Sequence, residues 1–374
     1  MTSMASTSRL TNKPAGRFAR RLAATTLLGL AATTLLGLAA TTLLGLAAST
    51  LLGLGATAQA QAATLTVYGA MGYDQHVVQA FTRATGIPVN LIHLSTGPLL
   101  ARVQAESGNP QWDVLWMDGN QAMQTFAQQG LLQCGWAPAV RYTALGRQLL
   151  PPSRCWQPVG VTYAGVILYD PKAIAPADWP KSWADLAKPA LRGKVGMDNP
   201  AISGPTYPLV AGLLQDLGDK PGKAYFERLK ANGLKVFPTN SVTLRALQYG
   251  QIDAAVVQSS AAIGFLHEMP ALHIAAPAPA TVLPSDLAIG KQVSGTLQQQ
   301  ARRFVQWVLS RAGQTAMQQG DVDADSNDLP LIDGVAALPG LKRLGTVQPL
   351  VLDPAQWGPQ EPRVIDWFTA HIAR

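Results

Sequence analysis

From Leu65 to Gly130, short apolar runs alternate with single amphipathic helices, and that alternation leaves few folds open. Leu65-Thr66-Val67-Tyr68 reads as a strand closed by Gly69-Ala70-Met71-Gly72. Val77, Val78 and Phe81 share one helical face that Gly86 ends, and Val89-Asn90-Leu91-Ile92 forms the next strand. Ser95-Thr96-Gly97-Pro98 starts a helix whose inner face carries Leu99, Leu100 and Val103. Asp113-Val114-Leu115-Trp116 is a third strand, followed by a helix over 121–129 that Gly130 closes. Strands separated by single helices need crossover connections, so they predict a parallel sheet.

A second set follows. The run from Gly160 to Tyr169 is long for one strand and could carry the chain from one lobe to another. Strands are expected at 194–197, 235–237 and 253–257, with helices over 206–217 and from Thr239-Asn240-Ser241 to Tyr249-Gly250. Residues 281–290 read as a return segment, 295–310 and 312–319 as helices, and 364–373 as a terminal helix. The expected fold class is α/β, with two hinged lobes that each hold a mainly parallel sheet. Lobe 1 is assigned residues 63–162 and 266–311, and lobe 2 residues 163–265 and 312–340. The Pro-rich 341–374 segment is left without a lobe.

The N-terminus reads as an address. Arg9, Lys13, Arg17, Arg20 and Arg21 precede a charge-free apolar stretch from Leu22 to Ala58, and Ala58-Gln59-Ala60 and Ala60-Gln61-Ala62 are A-x-A sites. These are the parts of a secretory signal peptide, assigned to residues 1–62. The octamer Thr-Thr-Leu-Leu-Gly-Leu-Ala-Ala, repeated at 25–32, 33–40 and 41–48, makes the stretch long enough to span a bilayer. Cleavage and retention as an anchor are both open readings. Either places the body outside the cytoplasm, and cleaved export is the expectation.

Those five bases carry most of the formal charge of +7; beyond residue 62, 24 bases face 22 acids. A near-neutral body with no basic block excludes nucleic acid as the expected partner. In an oxidising compartment, Cys134 and Cys155 favour a disulfide over two buried thiols.

Enzyme signatures are missing beyond residue 62: there is no G-x-S-x-G, S-x-x-K, C-x-x-C or H-E-x-x-H. His267-Glu268-Met269-Pro270 opens like a zinc helix, but Pro270 breaks it before His273. Gly218-Asp219-Lys220-Pro221-Gly222-Lys223-Ala224 lacks the phosphate-loop spacing and reads as an exposed turn. Asp321-Val322-Asp323-Ala324-Asp325-Ser326 resembles the start of a calcium loop, yet Ser326 replaces the turn glycine and Ile332 the bidentate acid. A solvated acidic loop is the plainer reading. No enzyme activity, cofactor or metal is expected.

The positive signal is a recurring one. Ser95-Thr96-Gly97, Ser203-Gly204-Pro205-Thr206 and Asn240-Ser241 each open a helix directly after a strand. Helix N-termini leave backbone N–H groups unpaired and favour anions. In parallel sheets these turns lie at the carboxyl ends of strands, where ligands bind. Each alone is ordinary capping; together, from two lobes, they predict a ligand held between them.

These stretches resemble family 1 extracellular solute-binding proteins of ABC importers, in the branch of ferric-iron, thiamine and 2-aminoethylphosphonate binders. The resemblance runs from Leu65 to Gln318. It rests on Leu65-Thr66-Val67-Tyr68, Phe81-x3-Thr85-Gly86-Ile87-x-Val89, Ser95-Thr96-Gly97-x-Leu99-Leu100-Ala101-Arg102 and Asn109-Pro110-Gln111-x-Asp113-Val114. Ser182-Trp183-x-Asp185-Leu186-x2-Pro189-x3-Gly193-Lys194-Val195 and Phe304 with Leu309-Ser310-x3-Gln314 continue it. The resemblance implies a type II periplasmic-binding-protein fold, a monomer that closes on a small solute and hands it to an inner-membrane ABC permease. Its pocket loops map onto Tyr73, Ser95, Thr96, Gly97, Asp118, Ser203, Gly204, Thr206, Tyr207, Asn240, Ser241, Gln258, Ser259 and Ser260. The branch's ferric binders carry adjacent tyrosines where this chain has Gln258-Ser259-Ser260. The implied solute is therefore a small oxyanion-bearing molecule such as 2-aminoethylphosphonate, with Asp118 either pairing an ammonium group or capping a helix. Two alternatives stay open: ferric transport through other ligands, with Tyr68, Tyr73, His93 and Tyr207 as candidates, and an exported enzyme or sensor on the same fold.

Overall fold

A computed structural model describes residues 63–321, 327–344 and 347–374. The expected signal peptide and all but Asp321 of the acidic stretch 321–326 lie outside the described residues. Among the described residues, no helix is long and apolar enough to cross a membrane.

The first sheet is built from β1 (Leu65–Gly69), β2 (Val89–His93), β3 (Val114–Asp118), β4 (Gln157–Tyr163), β10 (Ala280–Ile289) and β11 (Leu329–Pro330), in the order β11-β4-β10-β3-β1-β2. A short β12 (Pro349–Leu350) pairs with the start of β10. The second sheet runs β7-β6-β8-β5-β9, from β5 (Val166–Tyr169), β6 (Val195–Asp198), β7 (Lys235–Phe237), β8 (Ala254–Val257) and β9 (His273–Ala275). Each sheet is the centre of its own lobe. Both are mixed rather than mainly parallel: β1 is parallel to β2 and β3, but β10 runs antiparallel to β3 and β4, and β5 antiparallel to β8 and β9. The direction of these strands is not written in periodicity, because alternation predicts a strand and not its orientation.

Helices cover the faces. In lobe 1 these are α1 (Asp74–Thr85), α2 (Thr96–Ala105), α3 (Asn120–Gln128), α4 (Ala144–Leu149), α9 (Gly295–Val308) and α10 (Arg311–Gly320). Lobe 2 holds α5 (Thr206–Leu217), α6 (Asp219–Ala231), α7 (Asn240–Gln248) and α8 (Ser259–Glu268). The chain ends in α11 (Pro354–Trp357) and α12 (Glu361–His371). The segment expected as an exposed turn at 218–224 is instead the start of α6. Pro221 is compatible because it stands in the first turn, where its missing N–H leaves no helical bond unmade. Helix α8 stops at Glu268, two residues before Pro270, as its backbone requires.

The lobe-1 core joins Phe81, Phe304 and Trp307, with Trp116 and Tyr73 stacked edge-on beyond them. The lobe-2 core surrounds Phe226, which meets Tyr225, Trp367 and Phe368 edge to face. The Cys134 and Cys155 sulfurs are bonded, closing the loop before β4.

The expected long strand 160–169 is cut in two. β4 ends at Tyr163 in the first sheet and β5 begins at Val166 in the second. Gly165 makes the turn, and a Cβ there would lie 2.7 Å from the Leu209 side chain in the lobe-2 core. The return crossing runs from β9 to β10 and includes the cis Ala278-Pro279 bond. Two sequence-based lobe boundaries therefore move. Residues 273–275 pair in the second sheet, and α10 packs on α1 of lobe 1 while β11 pairs with β4.

Asp286, in the middle of β10, is fully buried and neither of its carboxylate oxygens has a hydrogen-bond partner. Burial pushes its pKa well above the ordinary 3.8. The folded protein thus keeps a proton on Asp286 that the unfolded chain releases, so the contribution of this group to stability falls as pH rises above about 4. Asp286→Asn is expected to remove this loss, and to exceed the wild type in urea denaturation by about 1 kcal/mol more for each pH unit above that range.

Candidate functional site

Six strand ends face a cavity of ≈ 300 Å³ between the lobes. In lobe 1, Ala70 and Gly72 follow β1, His93 to Thr96 leave β2, and Asp118 ends β3. In lobe 2, Ile202 to Pro205 follow β6, Thr239 to Ser241 follow β7, and Gln258 follows β8. All six strands belong to parallel pairs, and all contribute their carboxyl ends, as ligand sites in such sheets do. Leu244 of α7, Ala261 of α8 and Asp321, directly after α10, complete the lining.

Buried acids brace the loops. Asp198, at the end of β6, accepts a hydrogen bond from the Ser203 hydroxyl at 3.1 Å and another from Thr243 on α7. One carboxylate therefore ties the loop after β6 to the helix that follows β7. The Asn199 carbonyl accepts from Ser203 N at 2.9 Å, and its side chain accepts from Ala201 N at 2.9 Å. Across the cavity, Asp74 lies 2.8 Å from His93 Nδ1 and accepts from Met71 N at 3.3 Å. Gly69 has no room for a side chain, because a Cβ would meet the Asp74 carboxylate at 2.3 Å.

The lobes touch at the mouth of the cavity. Gly97 N donates to Ile202 O at 3.1 Å, and a Cβ on Gly97 would stand 1.9 Å from the Ala201 carbonyl oxygen. A Cβ on Gly204 would reach the Thr96 hydroxyl at 2.3 Å. The expected Ser95 cap bond is not made: Ser95 holds the N-cap position of α2, but its side chain caps nothing there.

The structure brings together Ser95, Thr96, Asp118, Ser203, Gly204, Asn240, Ser241 and Gln258 around this cavity. Gly97 lies beside it, in the lobe contact. Five expected residues point elsewhere. The Tyr73 hydroxyl donates within lobe 1 to Asp328 at 3.2 Å and Ser285 at 3.3 Å, and burial pushes its pKa well above 10.0. Tyr207 donates to the Trp357 carbonyl, and Thr206 is buried beside it outside the lining. Ser259 lies 2.6 Å from Thr162 and accepts from Tyr163 N, while Ser260 accepts from Gln258 Nε2 at 2.8 Å. These two serines tie α8 to the end of β4. Tyr68 donates to Glu106 at 3.0 Å, beneath Arg102.

His93 and Asp321 complete the lining without having been selected as oxyanion contacts. The end of β2 points to His93, but no local signal brings Asp321 to the cavity. Asp118 and Asp321 put two carboxylates on the lobe-1 wall, and among the described lining residues there is no Lys or Arg. The lobe-2 wall presents hydroxyls, amides and the starts of α5, α7 and α8. Such a cavity can hold anionic oxygens against one wall and a cation against the other.

Comparison with known proteins agrees with this architecture. The chain is 27% identical over 268 residues to the major ferric iron-binding protein of Neisseria meningitidis, covering 68% of this chain and 78% of that protein. It is 25% identical over 246 residues to the putative 2-aminoethylphosphonate-binding periplasmic protein of Salmonella typhimurium, covering 64% and 70%. The periplasmic binding protein AfuA of Actinobacillus pleuropneumoniae, solved with fructose-6-phosphate, superposes with a TM-score of 0.72 at 19% identity, over 83% of this chain and 98% of that one. Iron-bound HitA of Pseudomonas aeruginosa gives 0.68 at 23% identity, over 81% and 98%. Residues 65–320 match the bacterial extracellular solute-binding proteins, and this chain belongs to that family.

Proposed function

We propose that the protein is the periplasmic receptor of an ABC importer and captures a small solute carrying both an oxyanion and an ammonium group, such as 2-aminoethylphosphonate. One observation carries the reading: the lining carboxylates, Asp118 and Asp321, both come from lobe 1, while lobe 2 offers only hydroxyls, amides and helix starts as polar groups. The oxyanion lies against Gly204, Asn240 and Ser241, where backbone N–H groups at helix N-termini favour negative charge. The ammonium group lies against Asp118. Ser203 shapes this loop rather than donating to the oxyanion, because its hydroxyl proton is committed to Asp198 and its backbone N–H to the Asn199 carbonyl. The chain is exported by a cleaved signal peptide, acts as a monomer, and delivers its solute to an inner-membrane permease.

Ferric binding through tyrosine has less support. The hydroxyls of Tyr68, Tyr73 and Tyr207 are bonded to protein groups away from the cavity. Among the described residues, no three His, Cys, Asp or Glu side chains gather to hold a metal ion.

At one hundred times its Kd, 2-aminoethylphosphonate is expected to stabilise the protein by about 2.7 kcal/mol, read as a rise in melting temperature. Asp118→Asn should weaken calorimetric binding of 2-aminoethylphosphonate tenfold or more, about 1.4 kcal/mol, and leave ethylphosphonate binding unchanged. A response to ferric citrate with none to any phosphonate would refute the assignment. Gly97→Val, which pushes the lobes apart at the Ala201 carbonyl, is expected to weaken solute binding at least tenfold while the far-UV circular dichroism stays that of the wild type.

A further inference from the structure

Beyond residue 320, where the family match ends, the chain crosses repeatedly between the lobes. β12 adds to β10 of the first sheet, and Leu352 then enters the lobe-2 core. α11 packs on α3 of lobe 1, while its last residue, Trp357, is buried in the lobe-2 core with Val364 and Phe368. Trp357 is also hydrogen-bonded there twice. Its carbonyl accepts from Tyr207, and its Nε1 donates to Gln215 Oε1 at 2.7 Å, both on α5.

Gly358 supplies the other half of the grip. Its backbone is helical, with φ −57° and ψ −53°, so its own conformation does not require glycine. The tightest restriction comes from lobe 1: a Cβ would lie 2.5 Å from the Gln121 carbonyl oxygen and 3.2 Å from Thr125 Oγ1 on α3, with the Pro354 carbonyl oxygen of its own turn at 2.8 Å. Consecutive residues thus seat on helices of opposite lobes. Those helices begin at the cavity, α3 directly after Asp118-Gly119 and α5 directly after Ser203-Gly204-Pro205.

We infer that the segment Leu352–Gly358 is a strap that holds the two lobes together in the solute-free protein. Parting α3 from α5 must either draw Trp357 out of the lobe-2 core or lift Gly358 and α11 off α3. Both cost buried contact, so the strap biases the equilibrium between open and closed lobes toward closed before any solute arrives. A solute then meets a site already assembled and is spared part of the cost of closing it. This inference does not depend on which solute the cavity takes.

The test needs no ligand. Nitroxide labels on Ala84→Cys and Glu227→Cys, exposed positions on α1 and α6, report the distance between lobes by pulsed electron resonance. The solute-free wild type is expected to give one narrow distance peak. Gly358→Val and Trp357→Ala should each broaden that peak and move it to longer distances, with cooperative melting retained. Gly358→Val removes no buried group, so it decides the matter if Trp357→Ala fails to fold. A wild-type distribution already as broad as the variants', or a folded Gly358→Val protein that keeps the narrow peak, would overturn the strap.

Discussion

The pairing of β10 with β4 is the constraint on which the rest of the molecule depends. All ten residues of β10 are buried, and the strand lies between β3 and β4 as the antiparallel centre of the first sheet. Its register sets Val282 against Tyr163, and Ala164 N donates to Thr281 O at 2.9 Å just beyond. The chain therefore leaves lobe 1 after β4 and returns at β10 through neighbouring positions. The sheet of the second lobe is in effect one insertion, from β5 to β9, carried on two neighbouring strands, and the C-terminal segment adds its own crossings to that lobe's core. Bending about the two strands opens or closes a cavity at the far side.

The cavity follows from that layout. Each lobe offers the carboxyl ends of three strands joined in parallel pairs, and both sets converge on the same space. The two lobes contribute unequally: both lining carboxylates come from lobe 1, beside Ser95, Thr96 and the start of α2, whereas the amides and the starts of α5, α7 and α8 come from lobe 2. Buried polar groups hold the loops: Asp198 anchors Ser203 and Thr243, and Asp74 contacts His93. Gly97 and Gly204 let the two backbones approach at the mouth, where any side chain would keep them apart. The C-terminal strap acts on the same two helices from outside the cavity, so binding and closure share their mechanical parts.

Much of this was legible along the chain. Helix 206–217 and strand 235–237 fall where their patterns put them, because a Ser-Gly-Pro start, a Gly stop and an apolar face are local signals. The turns that line the cavity were legible for the same reason: helix starts after strands are written in adjacent residues. The tyrosines were not. Whether Tyr73 or Tyr207 faces a cavity or a core depends on partners such as Asp328 and Trp357, more than 100 positions away. Asp321 was equally hidden as a wall of the site, since its approach depends on how α10 packs against α1.

By itself the sequence determined the αβ alternation, the turns that line the cavity, and the membership that those fragments carry. Local backbone preference and hydrophobic period suffice for these. Only the tertiary structure decided the direction of the return strands, the break at Gly165, the split between acidic and amide walls, and the lobe-spanning seat of Trp357 and Gly358. Each depends on contacts between residues far apart in the chain. No local period encodes such contacts, because their energy exists only once both lobes have folded and met.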